Sequence, residues 1–313
     1  MNTGISVIIP TYNREKFVGE AIESVLIQEY HGKIEIIISD DGSTDNTLSI
    51  ASAFGDVVKT IKKPADCNSQ GASGARNRGI AAATQPFLCF LDSDDFYVTG
   101  HLKKMAKVLE DDPNLGFVFC RILECEEKNG KRMFRQWTHP KVFKEDIKNP
   151  VVSRSHIVHT NSFMFRKEVF KKVGFFNETY SNGEDGDLWM RISELYKGAF
   201  ADHFGAIYKI SHNDNQLSKN KEDEIKECYF KIYKKAISRY YKLNLKDHYR
   251  IFKLKHILLN LSFKNKKNTY YPRYLGLILR YPVSPWFIIK EYFYNKEKKR
   301  NNDFREDLSS FFS

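Results

Sequence analysis

The chain has 313 residues, 42% of them hydrophobic and 28% charged, a composition that suits a globular α/β domain with a smaller appendage and excludes a disordered chain. No apolar stretch approaches the roughly 20 residues that a membrane-spanning helix needs, and the opening "MNTGISVIIPTYNRE" lacks the basic n-region of a secretory signal, so it reads as the first strand of the fold. The net charge of +11 is lopsided: residues 214–313 carry 23 Lys+Arg against 11 Asp+Glu, leaving 27 against 28 for residues 1–213, which predicts a near-neutral domain followed by a basic region.

In chain order, "ISVIIP" (Ile5 to Pro10) and "IEIIISD" (Ile34 to Asp40) are continuous apolar runs, the pattern of strands buried on both faces of a parallel sheet. Between them Phe17, Ala21, Ile22, Val25 and Leu26 recur at helical spacing, which completes a β-α-β unit. "TDNTLSIASAF" reads as a second helix, with Ser43 or Thr44 available to cap it, and Val57 to Lys63 as a third strand. The Gly/Ser/Asn-rich stretch "NSQGASGARNRGIAAAT" turns from loop into helix around Ala75, and "FLCFLDSDDFY" (Phe87 to Tyr97) opens as another strand. "HLKKMAKVLEDD" is amphipathic and helical, "LGFVFCRILECEE" is a strand, and residues 126–155 hold a mobile loop. "TNSFMFRKEVFKKVGFFNE" gives strand, helix and turn; "GDLWMRISELY" is a helix with Leu188, Arg191, Ile192 and Leu195 along one face. From Asn215 the texture changes to Lys-rich helical segments with many Tyr and Phe, interrupted by Pro272, Pro282 and Pro285. The boundary falls at 213, between a domain 1–213 and a basic, helical region 214–313.

The five cysteines (Cys67, Cys89, Cys120, Cys125 and Cys228) are odd in number and form no CxxC pair and no Cys/His zinc spacing. They read as reduced thiols, several of them in the core.

Three strand ends carry the polar groups: "PTYNRE" after the first, "SDDGSTDNT" after the second and "DSDD" after "FLCFL". In an open parallel sheet ligands bind beyond the carboxyl ends of the strands. Taken singly, each cluster is a turn or a helix cap; all three at one edge imply a site. Crowded carboxylates beside an apolar strand repel each other and resist desolvation, so Asp92, Asp94 and Asp95 call for a counter-charge.

These motifs resemble glycosyltransferase family 2, of the GT-A type. The resemblance rests on "VIIPTYNRE" (7–15), "IIISDDGSTDNT" (36–47), "GASGARNRGI" (71–80), "FLDSDD" (90–95), "VGFFNE" (173–178) and "GEDGDLWMR" (183–191), in the family's order over residues 4–213. It implies a mostly parallel, Rossmann-like α/β sheet flanked by helices, and inverting transfer of a sugar from a UDP-sugar donor to a hydroxyl of a glycan or lipid-linked glycan acceptor, in bacterial surface polysaccharide synthesis. Mn²⁺ or Mg²⁺ is the implied cofactor, a Lewis acid held by hard oxygen ligands.

Residue by residue, the resemblance makes Asp94 the main direct metal ligand, with Asp92 at the ribose or the metal, Ser93 between them and His212 at the metal or diphosphate. Asp95 stands between a ligand and a loop-organising role. Pro10, Thr11 and Tyr12 correspond to positions that wrap the base, Asp41 to the carboxylate facing the uracil imide, and Asp40 to a loop support. Arg14 reads equally as a nucleotide contact or a surface ion pair; Arg76 and Asn77 match the family's "ARN", close to base or diphosphate. Asp185 is the implied base and Glu184 the second choice; Asp187 reads as a helix cap, and Trp189 as a core residue ahead of an acceptor-sugar platform. His156 and His159 lack the HExxH pattern and carry little weight as ligands. Two departures stand out: "FYVTG" follows the acids where the family often has Pro, and "GFFNE" replaces "GGFDE", with Phe175 for glycine and Asn177 for aspartate.

The basic tail, with "RYLGLILRYPVSPWFIIKEYFYNKEKKR" and its Trp286, suits either an anionic membrane surface or a helical domain with solvated lysines. No nucleic-acid motif is present. The expected placement is cytoplasmic, peripheral at the inner face of the membrane, with the oligomeric state open. Two competing readings remain: a nucleotidyltransferase on a similar sheet, and an inactive nucleotide-sugar-binding module.

Overall fold

The computed structural model describes residues 2–67, 71–128, 130–136, 159–210 and 222–242. In chain order these form β1 (Ile5–Thr11), α1 (Val18–Leu26), β2 (Ile34–Asp40), α2 (Thr47–Ser52), β3 (Val58–Lys62), α3 (Gly71–Ala82), β4 (Phe87–Phe90) and β5 (Phe96–Tyr97). Then follow α4 (His101–Asp111), β6 (Leu115–Lys128), β7 (Lys131–Gln136), β8 (Phe163–Arg166), α5 (Glu168–Val173), α6 (Glu184–Leu195), β9 (Lys197–Ile210) and α7 (Glu222–Lys242).

One mixed sheet runs β3-β2-β1-β4-β8-β6-β9-β5, with β7 paired to β6. Strands β1 to β4 are mutually parallel, β8 is antiparallel to both β4 and β6, and β9 is parallel to β6. Six strands therefore run the same way, and β1, β2 and β4 end at a common edge. The apolar runs form strands because both faces are covered: every residue of β1 is buried. Its polar members are partnered: Ser6 donates to Glu35 at 2.6 Å and Thr11 to Asp40 at 3.0 Å.

One face packs on α1, α2 and α4 through residues such as Val7, Ile22, Ile38 and Leu102. The other packs on α3, α5 and α6 around Phe90, Phe163, Phe165, Phe170, Phe176 and Trp189. Trp189 stacks on Phe165 at 4.8 Å between centroids and 19° between planes, so it is the core residue the pattern implies. Such ring pairs add about 0.5–1.5 kcal/mol each beyond the area they bury. At Gly79 a side chain would collide with Ile8; the missing Cβ lets α3 lie close against β1 and brings Arg76 to the sheet edge.

Three local expectations are corrected. Leu26 and Leu195 are exposed, because the buried stripes, which keep Ala21, Ile22 and Val25 on α1 and Leu188 and Ile192 on α6, extend toward Val18 and Trp189 instead. Neither Ser43 nor Thr44 caps α2. The Asp45 carboxylate accepts the Thr47 N–H at 3.0 Å, and the Ser43 hydroxyl donates to Asp40 at 2.5 Å.

The described residues divide into two compact units, the larger within Met1–Thr179 and Glu184–His212 and the other made of Tyr180–Gly183 with α7. In the second unit Cys228, Ile232 and Tyr233 are buried, and the Lys235 ammonium lies 5.1 Å over the Tyr180 ring. Among the described residues no helix is long and apolar enough to cross a membrane. Residues 137–158 and 243–313, which include the tail around Trp286 and most of the expected loop at 126–155, lie outside the described residues.

Candidate active site

The turn after β4 carries the acids. Asp95 N–H donates to the Asp92 carbonyl at 3.0 Å, which closes the turn, and Ser93 is buried inside it. Asp92 accepts from Arg76 Nη2 at 2.7 Å and lies 3.9 Å from His159 Nε2. Burial works to raise the Asp92 carboxyl, but the Arg76 guanidinium overcomes it and holds the group below its ordinary value. Asp94 is 42% exposed and 3.8 Å from Arg14 Nε; partial desolvation and the neighbouring Asp92 charge push its carboxyl up. Asp95 is the brace of the turn: its carboxylate accepts from Asn161 Nδ2 at 2.6 Å and from the Lys209 N–H at 2.8 Å. Burial, then the Asp94 and Asp92 charges, raise it well above the usual carboxylate range.

Arg76 is buried on α3 and joins two elements, because its Nη1 donates to Glu184 at the start of α6 at 3.2 Å. Next to Glu184, Asp185 accepts from the Gly186 N–H at 2.6 Å and from Thr160 Oγ1 at 3.4 Å. Burial, then the Glu184 charge, push Asp185 from 3.8 up to about 7. A helix N-terminus alone favours the charged form; here desolvation and like charge win. Asp187, buried in the first turn of α6, pairs with Arg191 at 2.9 Å.

At the ends of β1 and β2, Pro10 and Thr11 are buried, and Thr11 Oγ1 donates to Asp40 at 3.0 Å. Asp40 also accepts the Gly42 and Ser43 N–H groups, both at 2.9 Å, which is the bonding of a loop support. Asp41 faces Arg78 at 2.8 Å and Lys63 at 3.9 Å and accepts the Gly71 N–H at 2.7 Å. Tyr12 is 56% exposed beside this edge. Arg14 donates to the Tyr12 and Asn13 carbonyls at 3.3 and 3.2 Å. Asn77 turns away from the acids: its amide grips Phe176 O and N and Glu178 at 2.6–3.0 Å. His212 and His156 lie outside the described residues.

Three residues carry weight that sequence reasoning missed. Arg78 holds Asp41, and Asn161 bonds both the Asp92 N–H, at 2.9 Å, and Asp95. His159 has its donor atom within 4.8 Å of those of Asp92 and Asp95. Burial lowers the His159 imidazole below its ordinary value, which favours the neutral form. An ionised carboxylate with further carboxyl oxygens and a neutral imidazole is a donor set that fits Mg²⁺ or Mn²⁺. The structure groups Asp92 with Asp95 and His159 in this set, and leaves Asp94 at its exposed margin.

A mostly parallel α/β sheet with an acidic turn at its carboxyl edge, and a second acidic pair facing it from a helix start, defines a GT-A type glycosyltransferase. The chain belongs to glycosyl transferase family 2, whose sequence profile matches residues 6–174. An uncharacterized glycosyltransferase of Nostoc sp. is 33% identical over 172 residues, covering 54% of this chain and 52% of that protein. Another, from Methanocaldococcus jannaschii, is 27% identical over 297 residues and 94% of both chains. The chain spans only 52% and 60% of the length of its Nostoc and Rickettsia typhi relatives. Among solved structures, S. aureus TarS 1-349 in complex with UDP-GlcNAc superposes with a TM-score of 0.61 at 20% identity, over 86% of this chain and 75% of that one. A Pyrobaculum calidifontis mannosyltransferase in complex with GDP-Man and Mn²⁺ gives 0.56 at 18% identity, over 93% and 85%.

Proposed function

We propose that this glycosyltransferase moves a sugar from a UDP-sugar to a hydroxyl of a glycan or lipid-linked glycan, with inversion, through a catalytic domain spanning residues 1–213. The observation that carries the reading is the placement of Asp185 beside Glu184 at the start of α6, joined through the Arg76 bonds to Glu184 and Asp92 to the acidic turn; in that setting its carboxyl is raised to about 7. A base poised near neutrality takes a proton most effectively from an acceptor hydroxyl. Thr160 and the Gly186 N–H orient that carboxylate, and burial, then the Glu184 charge, raise its proton affinity. Arg76 presents positive charge beside Asp92, where a leaving diphosphate needs neutralising. Asp92 and His159, with Asp95 beside them and Asp94 at the exposed margin of the turn, would hold Mn²⁺ or Mg²⁺, with His212 the further ligand the resemblance implies; the ion would supply Lewis-acid stabilisation of that leaving group.

Asp41, fixed by Arg78 and Lys63, and the exposed Tyr12 ring suit a nucleoside at the β1–β2 edge, and Arg14 reaches toward it from the Asp94 side. The UDP and UDP-GlcNAc complexes of TarS support a uridine donor, and the GDP-Man and Mn²⁺ complex of the mannosyltransferase supports the metal. The positive surplus of residues 214–313 suits an anionic membrane at the cytoplasmic face, where lipid-linked acceptors lie.

The test is turnover of a UDP-sugar panel with Mn²⁺, reading released UDP against released pyrophosphate. UDP release that Asp185→Asn abolishes, with donor affinity kept, supports the assignment. Pyrophosphate release, or full transfer by Asp185→Asn, overturns it.

A further inference from the structure

Away from the acidic edge, three donor side chains from three elements converge. His101 is the first residue of α4, Cys120 lies in β6 and His203 in β9. His101 Nδ1 is 3.1 Å from His203 Nε2 and 4.0 Å from Cys120 Sγ, and the three donor atoms lie within 4.8 Å of one another. Bond lengths of about 2.0–2.1 Å to nitrogen and 2.3 Å to sulfur in a tetrahedral zinc site place such atoms roughly 3.3 and 3.6 Å apart. The observed separations differ from these by less than about half an ångström.

The backbone is shaped to bring them together. The parallel ladder of β6 and β9 pairs Cys120 with Ala201, then Arg121 with Phe204 and Ile122 with Ala206. Asp202 and His203 are extra residues in β9 at that step, and a bulge re-aims the side chain it carries. At Gly205 a side chain would collide with both His101 Nδ1 and Cys120 Sγ, so the strand leaves these atoms room where any other residue would fill it. His101 and Cys120 are buried and His203 is half-buried, which leaves one open side.

We propose that His101, Cys120 and His203 bind one zinc-class transition-metal dication, at a site separate from the acidic turn, and that the ion pins the start of α4 to β6 and β9. Two imidazoles and a thiolate suit zinc, whereas magnesium and manganese prefer oxygen. Both imidazoles are held neutral, the form that ligates. Burial, then the neighbouring His203 and the Lys104 charge, lower His101; burial, then Lys104, bring His203 to about 4. The Cys120 thiol, which burial raises, loses its proton to solvent as the metal–sulfur bond forms. A water on the open side completes four-coordination.

The experiment uses the full chain stripped with chelator and titrated with Co²⁺, which gives a thiolate-to-metal charge-transfer absorption only where sulfur ligates. The acidic turn offers no sulfur, so the band separates this site from the turn, and Cys120→Ser separates it from the other four cysteines. One equivalent of Co²⁺ should produce the band and Zn²⁺ should displace it. Cys120→Ser should abolish it, and His203→Ala, at the half-buried ligand, should weaken Co²⁺ binding by about 10- to 100-fold or more. A titration without the band, or a band that survives in Cys120→Ser, overturns the proposal. So does zinc retention, by elemental analysis, equal in wild type and both variants.

Discussion

Replacing Arg76 by Met tests whether one guanidinium holds the two acidic clusters in place. The side chain is 7% exposed and bonds Asp92, 23% exposed, at 2.7 Å and Glu184, 18% exposed, at 3.2 Å. Met keeps the length and the apolar contact with the Phe176 ring, 5.5 Å from the guanidinium, but strands two carboxylates. Removing one partner of a buried pair costs about 3–5 kcal/mol; water reaching Asp92 and Glu184 sets the expectation at the low end, about 3 kcal/mol. At about 2–4 °C per kcal/mol for a domain of this size, Tm falls by roughly 6–12 °C. The penalty has a pH signature. In the native protein the Asp92 carboxyl is depressed, so its stabilisation is present above the unfolded value and is lost as pH falls through the folded one. In Arg76→Met the same carboxyl is raised, and its penalty disappears on protonation. Urea denaturation in chelator at pH 8 and pH 5 should therefore show a gap to wild type that narrows on acidification. A gap below about 1 kcal/mol at pH 8, or one independent of pH, refutes the reasoning.

Asn161→Ala leaves the Asp92 N–H and the Asp95 carboxyl without their partner. At about 1–3 kcal/mol for each unsatisfied buried group it should cost roughly 2–4 kcal/mol in urea unfolding, whereas Asp94→Ala, at an exposed carboxylate, should change stability by less than about 0.5 kcal/mol. Trp189→Ala removes the centre of the ring cluster and should cost about 3–5 kcal/mol, read as a matching loss of the unfolding midpoint. Asp185 has a folded value of about 7 against an ordinary 3.8, so its charged form destabilises the fold and the penalty grows as pH rises between those values. Asp185→Asn should accordingly be more stable than wild type at pH 8, with the advantage vanishing near pH 4. The rate of sugar transfer by wild type should fall on the acid side of about pH 7, seen in kcat/KM profiles.

The parallel half of the sheet was legible because Val7 to Ile9 and Ile36 to Ile38 are consecutive apolar residues, a pattern that two-sided burial explains. The acids of the β4 turn and of α6 were legible because chemistry concentrated them at element ends. What the sequence hid is long-range. Strand β8 enters between β4 and β6 antiparallel to both, and nothing in "FMFR" announces that. Strand β9 carries a bulge that breaks the alternation a strand normally shows. His159 and Asn161 reach Asp92 across 67 and 69 positions of chain, and Arg78 reaches Asp41 across 37, so local spacing gave no sign of them. The same holds for His101, Cys120 and His203, whose sequence spacing matches no zinc pattern although their side chains meet.

The turn that leads into β8 links these observations. Its consecutive residues His159, Thr160 and Asn161 touch Asp92, Asp185 and the Asp92–Asp95 turn respectively. Phe163, the next residue but one, stacks within 5.2 Å of Phe165 and lies 4.8 Å from Trp189. The two sets of acids are therefore gauged against a single short piece of backbone, seated on an aromatic bed. A sub-ångström change in ring packing at Phe163 would shift the spacing between the two sets of carboxylates together. Variants in that apolar bed, none of whose rings carries a charge, should then alter the precision of the chemistry before they unfold the protein.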